Sequence, residues 1–263
     1  VGSHTEGYFT LTTSVANVSG IDIKDANYSH AEGAFTTASA PYSHAEGSGS
    51  SARGDASHAE GRLTIASGSF SHAEGGSTNA GGIGSHAEGA STTALGQYSH
   101  AEGFLTLASG LYSHAEGYDS EANADSSHAE GYTTIVHSSA TYAHTEGQST
   151  RTYSVASHTE GYDNEIETNS PYSHAEGAAN LIKQDSDGSH AEGYRNVIDG
   201  SEYSHAEGEG EGNPSSPEIK NSHYSHTEGS RNTIEDSLYS HAEGDHATID
   251  GGSYSSHAEG SFN

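Results

Sequence analysis

The sequence predicts an all-β chain wound as a parallel β-roll solenoid of about 14–16 residues per coil. Three observations predict it. The pentapeptide Ser-His-Ala-Glu-Gly occurs seventeen times in 263 residues, and from His30 to His128 its histidines are fourteen residues apart. Within the motif only Thr5, Thr145, Thr159 and Thr227 replace Ala, and only Ala143 replaces Ser, while the residues between motifs change freely. Small and polar residues alternate through the motif with the two-residue period of a strand. A strict short period is the signature of stacked repeats, each burying its face against the next.

One clean coil runs from Ser99 to Tyr112. Along its first strand Ser99, Ala101 and Gly103 are expected on one face, with His100 and Glu102 on the other. After a turn, Thr106 and Ala108 are the small inward positions, Leu105 and Leu107 lie between them, and Gly110 opens the second turn. Fourteen residues therefore make two short strands and two tight turns. Stacked coils pair their backbone groups with the coils above and below, and this ladder supplies the order.

Coil length and interior volume change together. Eight residues after the motif His stand Ala38, Ala52, Ala66, Ala80, Ala94, Ala108, Ala122 and Thr152 in the 14-residue units, but Val136, Ile166, Ile182, Ile198, Ile234 and Ile249 in units of 15 or 16. The position six after His changes from Thr36, Thr64, Thr78, Thr92 and Thr106 to Asn164, Asn180, Asn196 and Asn232, which predicts an inward amide ladder. Residues 1–263 are predicted as a single solenoid, with regular coils over about 29–142 and wider coils with longer loops over about 143–263.

Composition alone would suggest disorder, because Leu, Ile, Val and Phe number 30 of 263 and the formal charge is −29 with 8 basic residues. The motif register overrules that. No apolar run is long enough to insert in a membrane, and no basic patch suits nucleic acid. Cysteine is absent, which removes disulfides, thiolate metal sites and thiol catalysis. A chain that starts at Val1, almost within its first motif, is expected to be a processed protein or a segment of a longer one.

In-register stacking makes columns of His30, His44, His58, His72, His86, His100, His114 and His128 beside Glu32, Glu46, Glu60, Glu74, Glu88, Glu102, Glu116 and Glu130. If every motif His were protonated against its own Glu, the charge would fall from −29 to −12, so paired charges are the expectation. A thin roll buries little apolar surface, so chains are expected to associate through this face, His of one bonding Glu of another. Closed symmetry makes a homotrimer the simplest assembly. Aromatic residues such as Tyr28, Tyr42, Phe70, Tyr98 and Tyr112 recur two residues before His, where they are expected to seal a seam between chains or to stack in solvent.

The pattern Ser-x-Ala-x-Gly, two residues, Thr/Ser-x-Ala-x-Gly, on a fourteen-residue period resembles the YadA-like head repeat of trimeric autotransporter adhesins, with similar repeats in phage tail fibres. The resemblance covers nearly the whole chain. It implies a left-handed parallel β-roll that trimerises, an extracellular place on a cell or virion surface, and a structural or adhesive role. In that family the two residues facing the trimer centre are apolar, whereas His100 and Glu102 hold those positions here.

No enzyme activity is expected, since seventeen equivalent His/Glu pairs mark no single active site and a zinc deaminase would need cysteines. No cofactor is expected either. Two ion sites were open to the sequence: a cation or anion held by three His or three Glu around a threefold axis, and calcium in the acidic stretches Asp163-Asn164-Glu165, Asp185-Ser186-Asp187 and Glu207–Glu211. A His/Glu hydrogen-bond ladder and solvated acid are the preferred readings. His137, His223 and His246 lie outside the motif as ordinary surface residues. Longer intervals between motifs, Phe9–Asn27 and Glu209–Tyr224, predict protrusions, and Glu209, Asn213, Pro214 and Pro217 form a candidate contact loop for a host receptor or glycan. The function predicted is a rigid trimeric fibre module displaying such loops. The alternative is a monomeric solenoid binding an extended surface such as ice through its Thr and Asn rows, although their parity points inward.

Overall fold

The computed structural model describes residues 3–8, 11–12, 27–213 and 218–261. Its chain is a parallel β-solenoid of about sixteen turns, with no helix among the described residues. Two compact units divide it, 1–126 and 127–263.

Within the first unit each coil begins with a five-residue strand at the motif His, such as His100–Phe104, and continues with a two-residue strand, such as Leu107–Ala108. Like pairs with like in parallel: His86↔His100↔His114, Ala87↔Ala101↔Ala115, Glu88↔Glu102↔Glu116. The turns are laddered as well, since Leu105 N–H donates to Ala90 C=O at 3.0 Å and Tyr112 N–H to Gln97 C=O at 2.9 Å. Every coil thus hydrogen-bonds its neighbour almost all the way round, which satisfies backbone groups that a core this thin could not otherwise afford to bury.

Five positions per coil point inward. In the coil from Ser99 they are Ser99, Ala101, Thr106, Ala108 and Gly110, all buried. Gly110 faces the interior and opens the turn made by Leu111 and Tyr112, its carbonyl accepting Ser113 N–H at 3.3 Å. Ser99 Oγ closes its corner by donating to Gly96 C=O at 2.7 Å. The interior holds nothing larger than Thr here, as expected from the alanine column.

The motif glycine departs from its expected role. Gly103 is exposed, with φ +106°, and a Cβ on it would lie 2.2 Å from the carbonyl oxygen of Gly117. Its smallness serves the close approach of successive coils and a backbone conformation closed to L residues, not a narrow interior. Two further positions per coil lie in the left-handed region, mostly with residues other than glycine, for example Leu105 (φ 61°) and Tyr112 (φ 57°). The tyrosines two residues before His are these turn residues, more than half exposed and stacked in pairs such as Tyr28–Tyr42 at 5.5 Å and Tyr98–Tyr112 at 5.6 Å.

In the second unit the coils widen around Ile166, Ile182, Ile198 and Ile219, packed on Ala175, Ala191 and Ala206. The predicted asparagine row is inward and bonded, though to backbone rather than amide to amide. Asn180 Nδ2 donates to Glu176 C=O at 2.5 Å and Gly193 C=O at 3.0 Å, while Asn180 Oδ1 accepts Asn196 N–H at 2.8 Å. Asn164 sits the same way, so the stretch 163–165 does not present three outward oxygens. Serines line the added corner: Ser170 Oγ accepts Ser186 N–H at 3.1 Å and donates to Lys183 C=O at 2.7 Å.

The 21-residue interval after His205 breaks the pattern and repairs it. Ile219 takes the inward apolar place, pairing with Ile198 and Ile234, and Glu218 is buried next to it, level with Val197 rather than with Asn196. Glu218 is 3 % exposed; its carboxyl accepts Val197 N–H at 2.5 Å and Glu211 N–H at 2.7 Å. Neither residue stands at the regular spacing, so the sequence did not single them out. Glu209 and Asn213 are exposed beside this insertion, whereas Pro214 and Pro217, with most of the Phe9–Asn27 interval, lie outside the described residues.

Candidate functional site

Strand alternation turns the motif His and Glu outward from each coil, and in-register pairing stacks them. The result is a ribbon of imidazoles beside a ribbon of carboxyls. His30, His44, His58, His72, His86 and His100 stack with ring centroids 4.7–4.9 Å apart and planes within 5° of parallel. The second unit repeats this from His128 to His241 at 4.7–4.8 Å. Stacking leaves each side chain about a third exposed, 35 % for His58 and 34 % for Glu60.

The sixteen predicted residues stand in outward columns, His over His and Glu over Glu. His30 and Glu32, and likewise the pairs through His128 and Glu130, bring Nε2 to 3.4–3.9 Å from Oε2 in the same coil. These distances exceed a hydrogen bond. In the second unit an imidazole lies between carboxyls of successive coils, as His174 does at 3.7 Å from Glu160 and 3.9 Å from Glu176.

Several ribbon groups are shifted in the direction that opposes a row of ion pairs. Burial, reinforced by the flanking His44 and His72, holds His58 below the usual imidazole value, and the attraction of Glu60 and Glu46 is the smaller effect. His86, His144, His174, His190, His205 and His226 are lowered for the same leading reason. Carboxyls instead relieve one another by sharing protons along the column. Hydrogen bonding to Glu88, then burial and a bond to Glu60, pushes Glu74 up to about 7, whereas bonds from Glu116 and Glu88 hold Glu102 down. Glu146 and Glu176 are likewise pushed up to about 7, with Glu160 held low between them. Parallel stacking puts like beside like, which favours proton sharing around Glu74, Glu146 and Glu176 and disfavours charge on His58 and the other lowered imidazoles.

No family model matches the chain, and no curated protein does.

Three properties of the ribbon bear on chemistry. It is flat and continuous within each unit, offering repeated donors and acceptors to anything laid along it. It contains groups of His, Glu and the next His whose ligand atoms lie within 4.8 Å of one another, such as His44, Glu46 and His58. It repeats one His/Glu arrangement from coil to coil among the described residues.

Outside the ribbon the three remaining histidines make local contacts. His223 Nδ1 accepts Glu202 N–H at 2.9 Å, His246 Nδ1 lies 2.7 Å from Asp245 Oδ1, and His137 Nδ1 lies 3.2 Å from Ser139 Oγ. The outward positions of the shorter strands vary without pattern, from Thr37 and Ser51 through Ile65, Asn79 and Thr93 to Leu107 and Glu121. Thr36, Thr64, Thr78, Thr92 and Thr106 are buried, as are Asn164, Asn180 and Asn196. The rows an ice-binding surface would need thus face the interior.

Proposed function

We propose that this solenoid is a structural and adhesive fibre module whose chains associate side by side as a homotrimer through the His/Glu ribbon, on the surface of a cell or virion. The observation that carries the proposal is the contrast between the two outward faces. Seventeen of seventeen motifs keep His and Glu on one sheet, while the other sheet tolerates Thr, Ile, Leu, Asn, Glu and Arg at equivalent places. Folding requires the small inward residues and the glycine; it does not require imidazole and carboxyl on an exposed strand. A face held constant for a partner explains them.

The repeat's likeness to YadA-like heads supports the same reading and brings with it a left-handed roll and an extracellular place. Rigidity follows from the ladder, reach from the number of coils, and multivalent display from threefold repetition of loops such as the one beginning at Glu209. That loop is the proposed contact for a receptor or glycan.

The absence of cysteine makes a direct test simple. A Glu60→Cys chain carries one thiol on the ribbon, and a Leu107→Cys chain carries one on the opposite sheet. Ribbon-to-ribbon association predicts that mild oxidation gives covalent dimers with Glu60→Cys and few with Leu107→Cys. Equal crosslinking of the two, or crosslinking of Leu107→Cys alone, rejects the ribbon as the contact.

A further inference from the structure

We propose that the ribbon also binds divalent transition-metal ions such as zinc, each ion held by two histidines and one glutamate from consecutive coils of a single chain. The ligand atoms of His44, Glu46 and His58 lie within 4.8 Å of one another, and those of His58, Glu60 and His72 do the same. The Nε2 atoms of His44, His58 and His72 are shielded from solvent by the stack, yet none makes a hydrogen bond within the chain. A shielded imidazole nitrogen with no hydrogen bond, facing a carboxylate at 3.5–3.8 Å, is placed to share a cation with it.

The donor set selects the class of metal. Two imidazoles and a carboxylate suit zinc, nickel, cobalt or copper, whereas calcium and magnesium require oxygen ligands throughout. Zinc–nitrogen bonds of about 2.0 Å in tetrahedral geometry place ligands roughly 3.3 Å apart, so the widest separation must close by about 1.5 Å. Side chains a third exposed can make that adjustment by rotation, with the backbone ladder unmoved. The fourth position stays open to water.

Stoichiometry follows from the stack. Each ion uses two histidines, and ions in adjacent intervals, one 4.8 Å rung apart, would compete for ligands and repel one another. Alternate intervals fill, so the twelve such groups among the described residues hold about six ions. Binding also offsets part of the −29 charge, a gain that isolated surface sites on a neutral protein would not have. Because all ligands of one ion come from one chain, the inference does not rest on trimerisation.

Equilibrium dialysis of the full chain against zinc chloride tests it, with the sedimentation mass measured in the same buffer. Expected is uptake of about six ions per chain, with at least one lost in the variant His44→Gln/His58→Gln/His72→Gln and none in His137→Gln/His246→Gln. Should removal of three stacked imidazoles disturb the fold by circular dichroism, Glu46→Gln/Glu60→Gln keeps the imidazole column intact and must weaken binding in those intervals at least ~10-fold. Uptake of three ions or fewer, the number of histidines outside the motif, overturns the inference, as does undiminished binding in both ribbon variants. No uptake beside a mass of three chains overturns metal binding and leaves the assembly standing; full uptake beside a single-chain mass does the reverse.

Discussion

Replacing Gly103 by Ala should disrupt its rung far more than the same change at Gly76, one residue beyond the motif in its own coil. At Gly103 φ is +106°, and the new Cβ would stand 2.2 Å from Gly117 O and 3.0 Å from Gly117 N. Holding an L residue in that conformation costs about 1–3 kcal/mol. Relieving the overlap means moving one coil from the next by about 1 Å, which carries at least two ladder bonds beyond hydrogen-bonding range, at about 1 kcal/mol each. The sum is about 3–5 kcal/mol. A Cβ at Gly76 meets nothing within 4 Å, so Gly76→Ala should be neutral or stabilising by up to about 1 kcal/mol. Solenoids open locally, so the assay is native-state hydrogen exchange at the amides of His100–Phe104 and His114–Tyr118, where Gly103→Ala should speed exchange by roughly 100-fold or more. Equal effects of the two substitutions, within about 0.5 kcal/mol, would refute the close-approach role of the motif glycine.

Other substitutions probe other parts of the rung. Asn180→Leu keeps volume but strands Asn196 N–H and the carbonyls of Glu176 and Gly193, and should cost about 3–5 kcal/mol in denaturant unfolding; a loss below 1 would show the amide ladder to be dispensable. Thr133 is β-branched with φ 57°, so Thr133→Asn should stabilise by about 1 kcal/mol, and a destabilised variant would contradict the turn geometry. Burial raises the Glu218 pKa despite its two N–H donors, so the folded state holds this proton more tightly than the unfolded chain. Glu218 thus favours folding most below its ordinary value of 4.5 and loses that advantage as pH rises through the elevated folded value. Thermal unfolding across this range should show wild type declining relative to Glu218→Gln with rising pH, and a constant difference would count against a buried, raised carboxyl.

Much of the architecture was legible because period and parity are properties of sequence. The fourteen-residue spacing placed every His over the last, and the exchange of Ala108 for Ile182 at one position tracked coil width. What escaped was backbone geometry. Leu105 and Tyr112 occupy left-handed turns that elsewhere hold Ser77 or Ala56, and such varied side chains announce no positive φ. Gly103 looked like a core residue because smallness inside a coil and smallness between coils leave the same letter. Ile219 and Glu218 were hidden by an insertion that displaced them from the count. In the ribbon the residues were evident and the raised titration of Glu74 was not, since it depends on carboxyls meeting carboxyls at one rung's separation.

Sedimentation equilibrium of the purified chain tests the central claim most directly, that a constant ribbon exists to meet other chains. The account predicts a species of three times the 27.1 kDa chain mass, reduced to single chains when ribbon glutamates such as Glu46, Glu60 and Glu74 are changed to Arg. A wild-type protein that sediments as a single chain at every concentration tried, with its ribbon open to solvent, would contradict it.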